Sequence, residues 1–378
     1  MGILHRHIFA SVLGACLAAV ALFTFVLMVG TALRDLLGYV IAGQVEAGVA
    51  AQLALLLVPF LAVYALPIGM LKGVLLVLGR MSSQQEITAM RAAGLSLGYV
   101  ARPIWLLGGG AVLVALALNF YVMPVTRSMQ REMLVQAVRA NPINFLVPRT
   151  FVRDFPGFIV YVGERRGAEL KDFWLWELDS QQRVRGMARA RTGSVDFREA
   201  DNQLVVTLRE VSGEPRDTKD PENFAKPQPI GNSDSMTLEL KLDGLFKQMK
   251  LNTKIAWMTL PQLLAKRDGL EAKGADITPP ERAELTKVRI NLNDKAASSL
   301  AVLAMAMVAV PLGIKVSRKE TSANLGIAVG LVLLYYFMAA LTGLLQRSPE
   351  LRPEYWVWLP PLAFAVAGVW LFRRVDRA

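Results

Sequence analysis

Charge vanishes from this chain in six long stretches and returns between them. The uncharged runs are Ile8–Leu33, Ala47–Leu71, Pro103–Thr126, Ala296–Ile314, Thr321–Gln346 and Tyr355–Phe372, each of 18 to 26 residues. As helices rising ~1.5 Å per residue they cover roughly 27–39 Å, enough to cross a bilayer core. Three runs precede and three follow a polar block, residues 127–295. The pattern predicts a polytopic α-helical membrane protein with six transmembrane helices in a 3+3 layout around an inserted domain. The first run far exceeds the ~7–15 residues of a signal-peptide core, and Arg34-Asp35 closes it, so it is expected to be a retained span.

Inside the polar block the period shortens. Runs of β type stand at Phe158–Val162, Phe173–Leu178, Gln203–Leu208 and Met236–Leu242, separated by turn-forming clusters at Pro156-Gly157, Asp179–Gln182, Asp201-Asn202 and Pro227–Ser233. Such spacing suggests a sandwich or jelly roll. Arg127–Arg139 reads as a helical extension of span 3. Leu260–Arg267 and Glu281–Arg289 read as helices leading into span 4, and Gly213–Asn223 as a mobile loop. The expected division is therefore 1–126 with spans 1–3, 127–295 with the β-domain and its flanking helices, and 296–378 with spans 4–6.

Charge then sets the orientation. Short-loop basic residues gather at Arg6, at Arg80, Arg91 and Arg102, at Lys315, Arg318 and Lys319, and at Arg373, Arg374 and Arg377. The positive-inside rule puts both termini and these loops in the cytoplasm, and parity puts the polar block outside. The net charge of +11 thus reflects topology and a basic exterior, with no nucleic-acid partner expected. Lys72, near the cytoplasmic end of span 2, is expected to snorkel.

Catalytic chemistry has little to work with. Cys16 is the only cysteine and lies within the first span, where packing is its expected role; the two histidines, His5 and His7, precede that span. The exterior block has no Ser/His pair, no HExxH and no metal-ligand spacing, so no cofactor or metal is expected. Asp196, Glu199 and Asp201 read as solvated turn carboxylates. Asp, Glu and His are missing from all six runs, which disfavours a membrane enzyme.

The sharpest local signal lies between spans 2 and 3, in LGRMSSQQEITAMRAAGLS at 78–96. Ser83-Gln84-Gln85-Glu86 fits a capping box, Ile87, Met90 and Arg91 follow at helical spacing, and Gly94 fits a C-terminal stop. A helix over 82–94 has two readings on pattern alone. It is an interfacial helix with Glu86 as a cap residue, or a coupling helix that plugs Ile87 and Met90 into the cleft of a soluble motor subunit.

This segment and VPLGIKVSRKETSANLGIAVGLVLLYY at 310–336 resemble the LptF/LptG (YjgP/YjgQ) family of lipopolysaccharide-export permeases. The first is similar to the family's "lgrL…sElvalraaGls" loop, the second to its "vPLGi…R…glalgl…lYY" junction, and the 3+3 layout matches across the chain. The resemblance implies a periplasmic jelly-roll domain in a bacterial inner-membrane protein and a heterodimer of paralogous LptF-type and LptG-type permeases. Two copies of the cytoplasmic ATPase LptB and the partner LptC are implied as well. Together they would extract lipopolysaccharide from the membrane lipid and pass it to a periplasmic bridge. No GxxxxGK[ST] occurs here, so nucleotide hydrolysis would belong to another polypeptide.

Residue by residue, the resemblance makes Glu86 the coupling glutamate, with Ile87, Met90, Arg91, Gly94 and Leu95 around it. Arg34 matches a head-group position at the outer end of span 1, where a guanidinium can pair with a phosphate; its plainer role is an interfacial anchor beside Asp35. Arg131, seven residues after Pro124, is a second head-group candidate, and the lysines that some members carry near Arg34 are absent here. Acyl chains would lie between spans 1 and 5, lined by Phe23, Phe25, Leu27, Leu333, Tyr336 and Phe337, each of which serves bundle packing equally well. The LELKL strand at 238–242 leans toward the LptF type. Lipoprotein-release and cell-division permeases usually have four spans, which the 3+3 count opposes. A membrane-anchored lipid-binding or envelope-sensing protein would have no use for a coupling helix.

Overall fold

The computed structural model describes the chain apart from residues 1, 34–39, 41–46, 141–142, 144–145, 154, 156, 180, 182, 199–202, 216–230, 242–254, 316–320, 346–351 and 378. Two compact units emerge. One comprises Met1–Leu33, Ala54–Ser128 and Lys254–Ala378; the other comprises Arg34–Leu53 and Met129–Thr253.

The first unit is helical. The helices are α1 (Ile3–Leu27), α2 (Ala47–Ser83), α3 (Glu86–Ala92), α4 (Leu97–Ala117), α5 (Met123–Ala140), α6 (Leu260–Glu271), α7 (Pro279–Lys315), α8 (Thr321–Leu345), α9 (Pro353–Trp356) and α10 (Leu359–Asp376), of which the start of α2 through Leu53 and the end of α5 from Met129 group with the second unit. Six helical segments among the described residues are long and apolar enough to span a bilayer: Ile3–Gly30, Ala47–Ser83, Leu97–Met133, Pro279–Lys315, Gly326–Leu344 and Pro353–Asp376. Several overrun the uncharged runs, because a helix does not stop where hydropathy does. In the third, a π-helical stretch at Leu118–Val122 joins α4 to α5. The predicted helix over Arg127–Arg139 is the body of α5.

Helix α7 is the hub, with α4, α6, α9 and α10 packed on it. Its most apolar stretch is 67% buried, against 17% for spans 1 and 5. Leu263 of α6 and Val288 of α7 share a buried cluster with Phe120 of the third span, so the segment after residue 254 packs with the membrane helices. Cys16 is buried in the main cluster, as a packing role requires.

Between apolar helices in lipid, attraction comes from close contact rather than from water release, so small residues mark the seams. The pair Gly69 and Gly73 lets α2 lie directly against the backbone of α1. A Cβ built on Gly73 would fall 2.5 Å from Cys16 Sγ and 2.7 Å from the Cys16 backbone nitrogen, and one on Gly69 would meet Val20 Cγ2 at 2.3 Å. No rotamer change relieves contact with a backbone atom.

The second unit is a six-stranded antiparallel meander: β1 (Phe151–Val152), β2 (Phe158–Arg166), β3 (Glu169–Leu178), β4 (Val184–Arg198), β5 (Gln203–Pro215) and β6 (Gly231–Lys241). Neighbours in sequence are neighbours in space, without the crossing connections of a jelly roll among the described strands. One face carries the core, with Val160, Val162, Leu170, Phe173, Leu175, Leu204, Val206 and Leu208 each at most 4% exposed.

A crease runs across this sheet. Asp172 and Glu210 sit in strands yet have φ of +52° and +53°, the left-handed region. Register partners skip one residue per strand in a single row: Val162 pairs Phe173 and Glu164 pairs Lys171, and likewise around Arg191, Glu210 and Asp234. At the row the inward-facing parity changes, so Leu170 and Phe173 are both buried three positions apart, as are Leu208 and Val211. The outer side of the row is polar. Arg189 meets Asp172 at 2.8 Å and stacks 4.5 Å over Trp174, and Arg191 meets Glu210 at 3.1 Å. At the β3–β4 turn, Asp179 accepts from the backbone N–H groups of Arg183 (2.9 Å) and Gln181 (2.8 Å). The Arg183 amide above all, with its side chain and the Gln181 amide, holds this carboxyl below the usual range.

Asp196, expected in a turn, lies exposed within β4, while Glu199 and Asp201 fall outside the described residues. Of the expected loop Gly213–Asn223, residues 213–215 extend β5 and the rest also falls outside.

Gly73→Ala is expected to destabilise the helical unit by about 1–3 kcal/mol through overpacking against Cys16. Thermal unfolding of the detergent-solubilised protein checks this, with Gly14→Ala as control, because nothing lies within 4 Å of a Cβ there.

Candidate functional site

The two motif segments, far apart in sequence, meet in one cluster. Leu78 of α2 packs against Gly313 of α7, where an added Cβ would sit 2.9 Å from Leu78 Cβ. One turn on, Ser82 Oγ donates to the Ile314 carbonyl at 2.7 Å. The end of span 2 is thereby tied to the end of span 4, and α3 starts from that junction.

The capping box is not formed. Ser83 is the last residue of α2 and its hydroxyl donates back to the Arg80 carbonyl at 2.8 Å. Hydrophobic packing carries α2 through the predicted start. The reversal falls on Gln85, at φ +61°, which precedes Glu86 without a side-chain cap bond. Glu86 is the first helical residue, where a carboxylate suits the helix dipole.

The predicted stop at Gly94 is formed as a Schellman motif. Gly94, at φ +85°, donates to the Arg91 carbonyl at 2.9 Å, and Leu95 donates to the Met90 carbonyl at 3.0 Å. Ser96 then caps α4, its hydroxyl accepting from the Tyr99 amide at 3.2 Å. Nearby, His5 of α1 contacts the Tyr99 carbonyl at 3.0 Å and lies tilted against its ring, with centroids 4.1 Å apart. These ties of Ser82, Gly313, His5 and Tyr99 were not legible from local pattern, because each joins segments distant in sequence.

Ile87 is 4% exposed and belongs to the buried helical core, with Met90 half-buried against it. Ile87, expected to plug a partner's cleft, instead anchors α3 to its own chain. The outward side consists of Glu86, Thr88, Ala89, Arg91, Ala92, Ala93 and Gly94, with Leu95 half-buried. The result is a short, small-residue ridge with a negative charge at one end and a positive charge toward the other, fixed at its start by a left-handed turn and at its end by two hydrogen bonds.

The expected lipid-facing residues distribute unevenly. Phe337, Leu333 and Phe25 are 62%, 65% and 59% exposed, while Phe23 and Leu27 are half-buried. Tyr336 is half-buried and its hydroxyl donates to the Tyr64 carbonyl at 2.9 Å, which ties span 5 to span 2. Arg131, on α5, is half-buried, and Arg34 lies outside the described residues. Among the described residues no group of His, Cys, Asp and Glu is arranged to hold a metal.

A model of the family described as Lipopolysaccharide export system permease LptF/LptG matches residues 6–374. Lipopolysaccharide export system permease protein LptF of Escherichia coli (strain K12) is 24% identical over 345 residues, covering 88% of this chain and 85% of that protein. The LptF protein of Shigella flexneri matches with the same identity and coverage.

Gly94→Ala is expected to loosen the end of α3, since a side chain in the left-handed region costs roughly 1–2 kcal/mol. Hydrogen exchange checks this: the Gly94 and Leu95 amides should exchange about 5- to 30-fold faster, with the α4 core unchanged.

Proposed function

Because the chain belongs to the LptF/LptG permease family, it is a non-catalytic membrane subunit of lipopolysaccharide export, and we propose that α3 is where ATP hydrolysis is coupled to it. The family match across residues 6–374 carries the export function. What supports the coupling is the build of α3: an exposed ridge clamped to spans 2, 3 and 4 transmits a push as a lever would. Glu86 meets a basic residue of the motor subunit, Ala89, Ala92 and Ala93 let the surfaces approach, Arg91, Gly94 and Leu95 complete the contact, and Ile87 and Met90 carry force inward.

The assembly we propose pairs this chain, as the LptF-type subunit, with a paralogous LptG-type permease, two LptB ATPases and LptC. The LptF relatives named above favour that assignment. Both termini and α3 face the cytoplasm, consistent with the basic residues at those ends, and the β-domain is periplasmic. Spans 1 and 5, the least buried, face the partner permease and the lipid between them. Phe23, Leu27, Tyr336 and Phe337 line the acyl chains there, while Arg34 and Arg131 meet head-group phosphates. The β-domain, a jelly roll in this reading, is then the first stretch of the exit path.

Glu86→Ala and Glu86→Arg are expected to weaken capture of the ATPase subunit, by roughly tenfold or more for the charge reversal, while membrane insertion stays normal. Copurification and export assays check this, and unchanged results in both variants would sink the coupling role. A photocrosslinker at position 34 is expected to label lipopolysaccharide above a lipid-facing control at Trp370 on span 6. Equal labelling at the two positions would remove Arg34 from the head-group site.

A further inference from the structure

The face of the sheet opposite the apolar core carries one row of register partners across all six strands: Phe151, Tyr161, Trp174, Arg189, Ser212 and Asn232, from β1 to β6. The residues on either side of them in β2 and β3, Val160, Val162, Phe173 and Leu175, are buried in the core, so the row points the other way. At a strand spacing of ~4.8 Å the row is roughly 24 Å long. It begins with aromatic rings at the edge strand and ends with a hydroxyl and an amide. Tyr161, Arg189, Ser212 and Asn232 also line a trough of about 1290 Å³ that follows the crease.

The rings are held in place without being covered. The Trp174 indole donates to Asp172 Oδ1 at 3.0 Å, and Arg189 Nε donates to the same oxygen at 2.9 Å while its guanidinium lies 4.5 Å over the Trp174 ring. Trp176 lies nearly parallel to Trp174 at 5.9 Å, and Phe151 bridges Trp176 at 5.5 Å and Tyr161 at 4.9 Å. Phe151 is 55% exposed, and the other three rings are half-buried.

Charge in the trough balances. Arg189 pairs with Asp172 and Arg191 with Glu210, and the two other cations, Arg149 and Lys171, are matched in number by Glu164 and Asp234. No net charge is left to draw in a polyanion, and the carboxylates repel one. An acyl chain is no better suited, because it would take water from these charges and return no hydrogen bond. The complement of this surface is an uncharged ligand, dense in hydroxyls, with C–H faces that can lie on aromatic rings. That is the chemistry of a sugar chain.

We propose that the row and trough bind the saccharide of the exported lipopolysaccharide, over uncharged sugars beyond its phosphorylated head. The aromatic strip carries the sugar rings, and Arg189, Ser212 and Asn232 meet their hydroxyls. The identity of the glycan rests on the export function, and its access to the site on the β-domain being periplasmic. The site orients the sugar chain on the face of the sheet away from the apolar core.

The test titrates the full chain in detergent with the oligosaccharide released from lipopolysaccharide and freed of phosphate, read by calorimetry. Saturable binding is expected, changing less than about twofold between ~0.05 and ~0.5 M salt, since no net charge is involved. Trp174→Ala is expected to weaken it roughly tenfold and Trp174→Phe less than about threefold, because the phenyl ring keeps an aromatic face. No saturable binding, binding abolished by salt, or unchanged binding in Trp174→Ala overturns the proposal. Tighter binding of an N-acetylglucosamine hexamer than of the released oligosaccharide would assign the trough to a different glycan and overturn it as well. If Trp174→Ala does not fold, Phe151→Ala on the exposed edge strand decides, and unchanged binding there overturns the proposal equally. Capture of the ATPase subunit is expected to stay normal in these variants, so failure of the sugar site is told apart from failure of the coupling that the Glu86 variants address.

Discussion

Close approach between helices that water cannot push together governs the helical unit. Inside a bilayer an apolar side chain gains little by leaving lipid for protein, so contact distance decides whether spans associate. Helix α7 meets this condition with small buried residues, among them Ala297, Ser299, Ala301, Ala304, Ala306, Ala309 and Gly313. Gly69 and Gly73 do the same on α2, and Gly368 of α10 comes so near that a Cβ would lie 2.6 Å from the Met307 carbonyl carbon. With α7 as a tight hub, spans 1 and 5 are left with most of their apolar surface outward. The hub is what keeps that surface in one shape.

The same hub explains how the two ends of the helical unit differ in character. At one end the Leu78–Gly313 contact and the Ser82–Ile314 hydrogen bond fasten α3 to rigid helices, so a force on its exposed ridge is not lost in a loop. At the other, Asn119, Asp294 and Lys295 line a polar recess among aromatic rings. Rigid seams in the middle make it possible for the ends to be specialised.

The β-unit follows a different constraint. One apolar face has to persist along strands of up to 15 residues while the sheet bends. Left-handed residues at Asp172 and Glu210 let the backbone fold along one row and exchange inward for outward parity, so the core continues across the crease. Aspartate and glutamate tolerate the strain there because the ion pairs to Arg189 and Arg191 hold them on the polar side.

Six spans, the β character of the exterior block and the stop at Gly94 were set by local chemistry: the absence of charge over a bilayer's thickness, short alternating runs, and a residue that alone enters the left-handed region without cost. Strand lengths were not. The alternation of β3 and β5 breaks phase at the crease, so only their halves read as strands, and β4 alternates alanine with arginine, which carries little hydropathy signal. The capping box at Ser83 failed because packing of α2 on α7 outweighed a local hydrogen bond. Ile87's inward direction, the junction of the two motifs and the recess that gathers Asp294 and Lys295 among aromatic rings belong to the tertiary structure alone. Each depends on which distant segment lies opposite, and a one-dimensional pattern holds no record of that.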